Sequence, residues 1–198
     1  MGLCFNGDET DLHNRSIELL NKCFGLTGRV KYSSTQNAAT VEFNGICIAA
    51  YLREKLGHSC YIKHVPEEWI TDTSISFLRG VLKGFLLGDG SQPRNMGFTT
   101  TSSKLAMQMQ QIGMHLGIFF GINPRDNSPP PSPYLPTPDQ PRAISFDGSA
   151  SGIYDNKVRK LLGLPVREID RTWSGVIEGV GCFYVKINAV STEEYSGI

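Results

Sequence analysis

Apolar positions along the chain fall into four helical stripes, each closed by a glycine. In DLHNRSIELLNKCFG, Leu12, Ile17, Leu20 and Phe24 share one face and Gly25 follows the last turn. IAAYLREKLG ends at Gly57, SSKLAMQMQQIGMHLG starts at Ser102 or Ser103 and stops at Gly117, and YDNKVRKLLG stops at Gly163. A glycine just past the last periodic residue ends a helix because it enters left-handed backbone without a Cβ penalty. Between the first and second helices lie short strand candidates, RVKYSS and ATVEFNG; between the third and fourth lie GIFFGI and RAISFDG. NMGFTTT precedes the third helix as MGLCFNG precedes the first. Helix–strand–strand–helix therefore occurs twice, once on each side of residues 75–91.

That central stretch carries a different signal. In FLRGVLKGFLLGDGS, Gly80, Gly84 and Gly88 recur every fourth residue and Asp89 follows the last of them. A glycine inside a helix costs about 1 kcal/mol relative to alanine. Three on one face imply close approach of another helix, which the missing Cβ atoms permit. An acid at the end of such a helix lies close to the seam. Two such helices side by side bring two carboxylates together, a site for a divalent metal.

The pattern predicts an α+β fold of two αββαββα-like units, the first truncated: residues 1–74, then residues 75–165, then a tail, 166–198, with strand character. The second unit holds a proline-rich stretch, NPRDNSPPPSPYLPTPDQPR (123–142), expected to be an exposed loop because proline breaks helices and central strands.

Composition narrows the setting. The 198 residues have zero formal net charge and 40% hydrophobic content, so charge alone announces no nucleic-acid binder, although a basic face can be balanced by acids elsewhere. Five cysteines (Cys4, Cys23, Cys47, Cys60, Cys182) form no CxxC pair and stand among apolar residues, as reduced core residues of an intracellular protein would. The four histidines have no metal-ligand spacing. No signal peptide is visible, and the most apolar stretch, 81–88, is far shorter than the ~20 residues a membrane span needs.

The ordered blocks resemble a LAGLIDADG homing endonuclease of the kind embedded in inteins. GFLLGDGS at 84–91 matches the intein version of the signature, YIKHVPEEWI at 61–70 resembles the block before the second motif, and TTTSSKLAMQMQQIGMHLGI at 99–118 resembles the strand and helix after it. FYVKINAVSTEEYSGI at 183–198 resembles the stretch leading back toward a C-terminal splicing block. The splicing blocks themselves are not in the sequence, so self-splicing is not expected.

The resemblance implies a site-specific double-stranded DNA endonuclease using Mg²⁺ (or Mn²⁺). Asp89 would be its metal-binding acid, joined by the Gly88 backbone carbonyl, with Lys63 as the cation near the reacting phosphate. A two-motif enzyme needs a second acid. The local candidate is Asp8 in LCFNGDE (3–9), but Leu3 and Glu9 stand where the signature prefers glycine, and a helix follows at once. A strand followed by Asp8, Glu9 or Thr10 capping that helix is the better account. DNA would meet the polar phase of the strands, with Arg29, Lys31, Tyr32, Ser34, Gln36, Arg94, Asn95, Thr99, Thr101 and Arg125 as candidate contacts. With one convincing motif helix, two alternatives stand: a DNA-binding remnant that does not cut, or a maturase-like RNA binder. If the Gly80–Gly84–Gly88 helices pair between chains, the protein is a homodimer.

Overall fold

The computed structural model describes residues 2–91, 95–126, 144–168, 176–179 and 182–185. Two compact units divide the chain, Met1–Ser59 and Cys60–Ile198. Residues 60–74, expected to close the first unit, belong to the second.

In the first unit, strands β1 (Gly2–Asn6), β2 (Gly28–Tyr32) and β3 (Ala38–Phe43) form an antiparallel sheet in the order β1-β3-β2. Helix α1 (Thr10–Phe24) joins β1 to β2, and α2 (Ile46–Leu56) follows β3. Alternation is cleanest in β3: Ala39, Val41 and Phe43 are buried while Ala38, Thr40 and Glu42 are half-buried. Period two sends every second side chain to the same face, and Val41 and Phe43 form a small core with Leu20 of α1. Gly25 ends α1 at φ 66°, its N–H bonded to the Asn21 carbonyl and the N–H of Leu26 to that of Leu20. The apolar stripe of α2 contains no buried residue, and Ile46 and Tyr51 are exposed.

The second unit runs α3 (Glu67–Thr71), α4 (Ile75–Asp89), β4 (Gly90–Ser91), β5 (Gly97–Thr100), α5 (Ser103–His115), β6 (Gly121–Asp126), β7 (Ile144–Ser149) and α6 (Ile153–Leu162). A hairpin of β8 (Val176–Gly179) and β9 (Cys182–Val185) follows. The main sheet has the order β4-β5-β7-β6. Leu78, Leu82 and Leu86, one turn apart on α4, are buried in a core with Phe98, Met109, Ile112, Phe120, Tyr154 and Val158. Burying each such side chain is worth about 1.5–3 kcal/mol, which fixes α4 on this unit. The order β5-β7-β6 repeats β1-β3-β2, so the internal duplication expected from the helix–strand pattern is present as topology. Among the described residues, the first unit has no counterpart of α4.

Three local expectations are corrected. GIFFGI enters a strand only at its last two residues: Phe120 is fully buried in the core, and the strand runs later, over Gly121–Asp126. Pro124 is thus inside a strand, tolerated because β6 is at the sheet edge, where a missing N–H need not break a ladder on both sides. The rest of the proline-rich stretch, 127–143, lies outside the described residues. Cys4, Cys23, Cys47 and Cys60 are exposed rather than in the core; Cys4, for example, is on the outward face of β1 beside Thr40. Among the described residues, no helix is long and apolar enough to cross a membrane.

Candidate active site and nucleic-acid face

Helix α4 ends in an abrupt reversal. Ser74 caps its start, accepting the Phe77 N–H at 3.3 Å. At its end Asp89 is the last helical residue and Gly90 enters β4, opposite Phe98 of β5. A Cβ on Gly90 would collide with the Leu86 carbonyl, so only glycine lets the chain turn this tightly out of the helix. The turn leaves the Asp89 carboxylate 54% exposed, and Lys63 Nζ lies 3.7 Å from its Oδ2. An ion pair this exposed adds only about 0–1 kcal/mol to stability, so its placement is not explained by stability.

Lys63 is positioned by three side chains of the β5–α5 region. Thr101 donates to the Cys60 carbonyl at 3.0 Å, and Ser102 donates to the Lys63 carbonyl at 2.6 Å while its oxygen accepts the Leu105 N–H to cap α5. Buried Gln108 bonds both backbone groups of Val65, accepting its N–H at 2.9 Å and donating to its carbonyl at 2.7 Å. The lysine segment has no helix or ladder of its own there, so these bonds stand in for one.

The end of α4 brings two oxygen donors close together in sequence. The Asp89 carboxylate and the Gly88 carbonyl, in the last helical turn where carbonyls lack intrahelical partners, are oxygen donors of the kind Mg²⁺ and Mn²⁺ take. Such ions are often held by one or two carboxylates plus substrate phosphate. Among the described residues, no three His, Cys, Asp or Glu side chains cluster to hold a metal. A divalent ion at Asp89 would therefore need oxygens beyond the side chains that the described residues gather there.

Asp8 stands in different surroundings. Residues 3–9 form β1 and a turn rather than a helix. The Asp8 carboxylate accepts from Asn37 Nδ2 at 2.8 Å, tying the β1–α1 turn to the β2–β3 loop. None of Asp8, Glu9 or Thr10 caps α1 through its side chain: Glu9 is the N-cap, yet its carboxylate accepts the Asn6 N–H at 3.0 Å.

The outward sheet faces collect several of the expected DNA contacts. On the first sheet, Arg29 and Lys31 stand beside Glu42 of β3; Arg29 Nε and Nη2 reach Glu42 Oε2 at 3.1 and 3.0 Å, and Lys31 Nζ is 3.8 Å from Oε1. Tyr32 falls on the opposite phase, paired with Ala39, and its ring meets buried His13 at 6.0 Å. Ser34 and Gln36 are exposed in the β2–β3 loop. On the second sheet, Thr99 donates to Asp147 of β7 at 2.7 Å, Arg125 Nη1 is 4.0 Å from the same carboxylate, and Asn95 is exposed. The Thr101 hydroxyl is taken by Cys60, and Arg94 lies outside the described residues. Glu42, Asp147 and Asn123 were missed as members of these faces. The polar phase of ATVEF and AISFD holds both acids, a signal visible in the alternation.

The glycine stripe faces open space: a Cβ on Gly80, Gly84 or Gly88 meets nothing within 4 Å. Phe77 and Leu87, on the same side of α4, are exposed large apolar residues.

No family model matches the chain. Among solved structures, the homing endonuclease I-DmoI in complex with DNA and Mn matches with a TM-score of 0.57, covering 84% of this chain and 82% of that one at 10% identity. The chain has the LAGLIDADG homing-endonuclease fold. A mesophilic variant of I-DmoI shares this fold at TM-score 0.54, with 81% of this chain and 78% of that one covered at 10% identity. Among curated proteins, the ATP-dependent DNA helicase Hel308 of Thermococcus kodakarensis is 25% identical over 97% of this chain. The chain spans only 17% of that helicase's length, so a stretch similar to this LAGLIDADG-fold chain is contained in a much longer protein.

Proposed function

We propose that the chain is a site-specific double-stranded DNA endonuclease that hydrolyses phosphodiester bonds with a divalent ion, Asp89 supplying the carboxylate. The observation that carries this is Lys63 Nζ at 3.7 Å from Asp89 Oδ2, where the glycine-striped α4 ends. The DNA- and Mn-bound state of I-DmoI supports the choice of partner and cofactor. An Mg²⁺ or Mn²⁺ ion at Asp89 and the Gly88 carbonyl would supply Lewis acidity and a more acidic bound water. Asp89 contributes the fixed negative charge that keeps a cation beside a phosphate. Lys63, held by Ser102 and Gln108 through its neighbouring backbone, presents an ammonium that can follow the negative charge building on the phosphoryl oxygens.

Among the described residues no second acid-tipped helix stands beside α4, which points to assembly. The open glycine face, flanked by exposed Phe77 and Leu87, suits a second copy of α4, whose Asp89 would join the first. The match of nearly the whole chain to a small part of a helicase fits an endonuclease carried inside a host protein, as in inteins. The alternative, a DNA-binding remnant that does not cut, is favoured by the lack, among the described residues, of a cluster of three metal-ligating side chains. The test is a cleavage assay with Mg²⁺ or Mn²⁺ on duplex spanning the uninterrupted insertion site. Double-strand cutting that Asp89→Asn abolishes is the expected result. Salt-sensitive binding without any cutting overturns the enzyme reading and leaves the remnant.

A further inference from the structure

We propose that Arg29 reads a guanine in the major groove and that Glu42 is the positioning residue that holds its guanidinium for the task. The inference rests on the DNA reading above and names a specificity contact within it.

Arginine has five N–H donors in a rigid planar fork. Arg29 turns the side of that fork, Nε and Nη2, onto a single oxygen of Glu42 at 3.1 and 3.0 Å. Its remaining donors are both hydrogens of Nη1 and the second hydrogen of Nη2. Among the described residues, Nη1 makes no hydrogen bond. Those donors form the end-on pair that matches guanine O6 and N7, the acceptors of the commonest specific contact in the major groove. Exposure agrees with this direction: the Glu42 side chain is 32% exposed and that of Arg29 82%, so the acid stays at the sheet and the guanidinium projects from it.

The neighbours hold the arrangement. Glu42 is on the central strand, with β1 paired on one side and β2 on the other, directly opposite Arg29. Lys31 Nζ, 3.8 Å from the second Glu42 oxygen, faces the side of the carboxylate that Arg29 leaves open. A hollow of about 230 Å³ lies beside the pair, lined by Thr27, Gly28, Arg29, Glu42, Phe43 and Asn44.

A phosphate-gripping arginine gains nothing from an adjacent carboxylate, because the acid repels the backbone it must approach. A base-reading arginine does gain, since guanine presents only partial negative charge and a tethered fork has less freedom to lose on binding. Exposed ion pairs add little to stability, which leaves orientation as the role of Glu42.

The test is selection from a randomised duplex library with the full chain and its Arg29→Gln, Arg29→Lys and Glu42→Gln variants, alongside the salt dependence of binding to the selected duplex. The full chain is expected to enrich a site with a guanine fixed at one position. Arg29→Gln and Arg29→Lys each lower that preference about tenfold, Arg29→Lys with the salt slope kept because its charge is kept. Glu42→Gln, nearly identical in shape, weakens the same preference about threefold and leaves other positions unchanged. A uniform loss of affinity across sequences in Arg29→Gln, with preference intact, would make Arg29 a phosphate contact and overturn the proposal. So would a guanine preference indifferent to Glu42→Gln. A full chain that enriches no duplex at all overturns the DNA reading itself, whereas an enriched site that ignores these variants overturns this inference alone.

Discussion

Gln108 shows how much the site depends on one buried polar side chain. Its amide pairs with both backbone groups of Val65, as a neighbouring strand would. Removing it strands an N–H and a carbonyl in the interior, at about 1–3 kcal/mol for each unsatisfied group. Gln108→Ala should therefore lower stability by about 2 kcal/mol or more in urea unfolding. It should also loosen Lys63 and reduce cleavage further than DNA affinity. Asp89→Asn should behave in the opposite way: with its carboxylate exposed and singly paired, stability changes by less than about 1 kcal/mol while cleavage is lost. Circular dichroism melting beside a nuclease assay separates the two. The position of Asp89 at the end of α4 is legible locally, since the acid follows its glycine stripe directly. That of Gln108 is not. In SSKLAMQMQQ, three glutamines share the helix, and which one turns inward depends on a loop distant in sequence that brings Val65 to α5.

In α4 and just past its end the same substitution should have opposite signs at two glycines. At Gly84 a Cβ meets open space, so Gly84→Ala should stabilise the chain by about 1 kcal/mol through helix propensity alone. At Gly90 a Cβ would run into the Leu86 carbonyl, so Gly90→Ala should destabilise and disturb the Asp89 turn. Thermal melting of both variants at high dilution checks the pair; equal shifts would contradict the open face or the tight turn. Elements defined by their own residues were readable from the pattern. Gly25 and Gly163 close α1 and α6 in left-handed backbone, and Ser102 caps α5, as their placement predicts. Elements defined by a partner were not. The strand over Gly121–Asp126 exists because β7 pairs with it in that register, and nothing in GINPRD, with a proline at its centre, announces a strand. Tyr32 is one step of strand phase on from Lys31, so its ring meets His13 while the residue stays 57% exposed.

Taken whole, the chain contains a repeated strand–helix–strand–strand–helix unit but a single acid-tipped motif helix among its described residues. That asymmetry makes a kinetic prediction. If the second carboxylate comes from another copy, the active species is a dimer and its population falls as the square of protein concentration below the dissociation constant. Each halving of protein at fixed, saturating DNA-site excess should then cut the cleavage rate about fourfold, against about twofold for a chain active alone. Gly84→Leu supplies the structural arm. The position is open, so a leucine there leaves the chain folded, but it fills the face two helices would share. The variant should melt as the parent does at dilution, sediment as a monomer where the parent self-associates, and lose cutting while keeping salt-sensitive binding. A parent that stays monomeric and cuts with first-order dependence would place the second acid within the chain and return attention to Asp8, whose carboxylate would then have to leave Asn37 to serve.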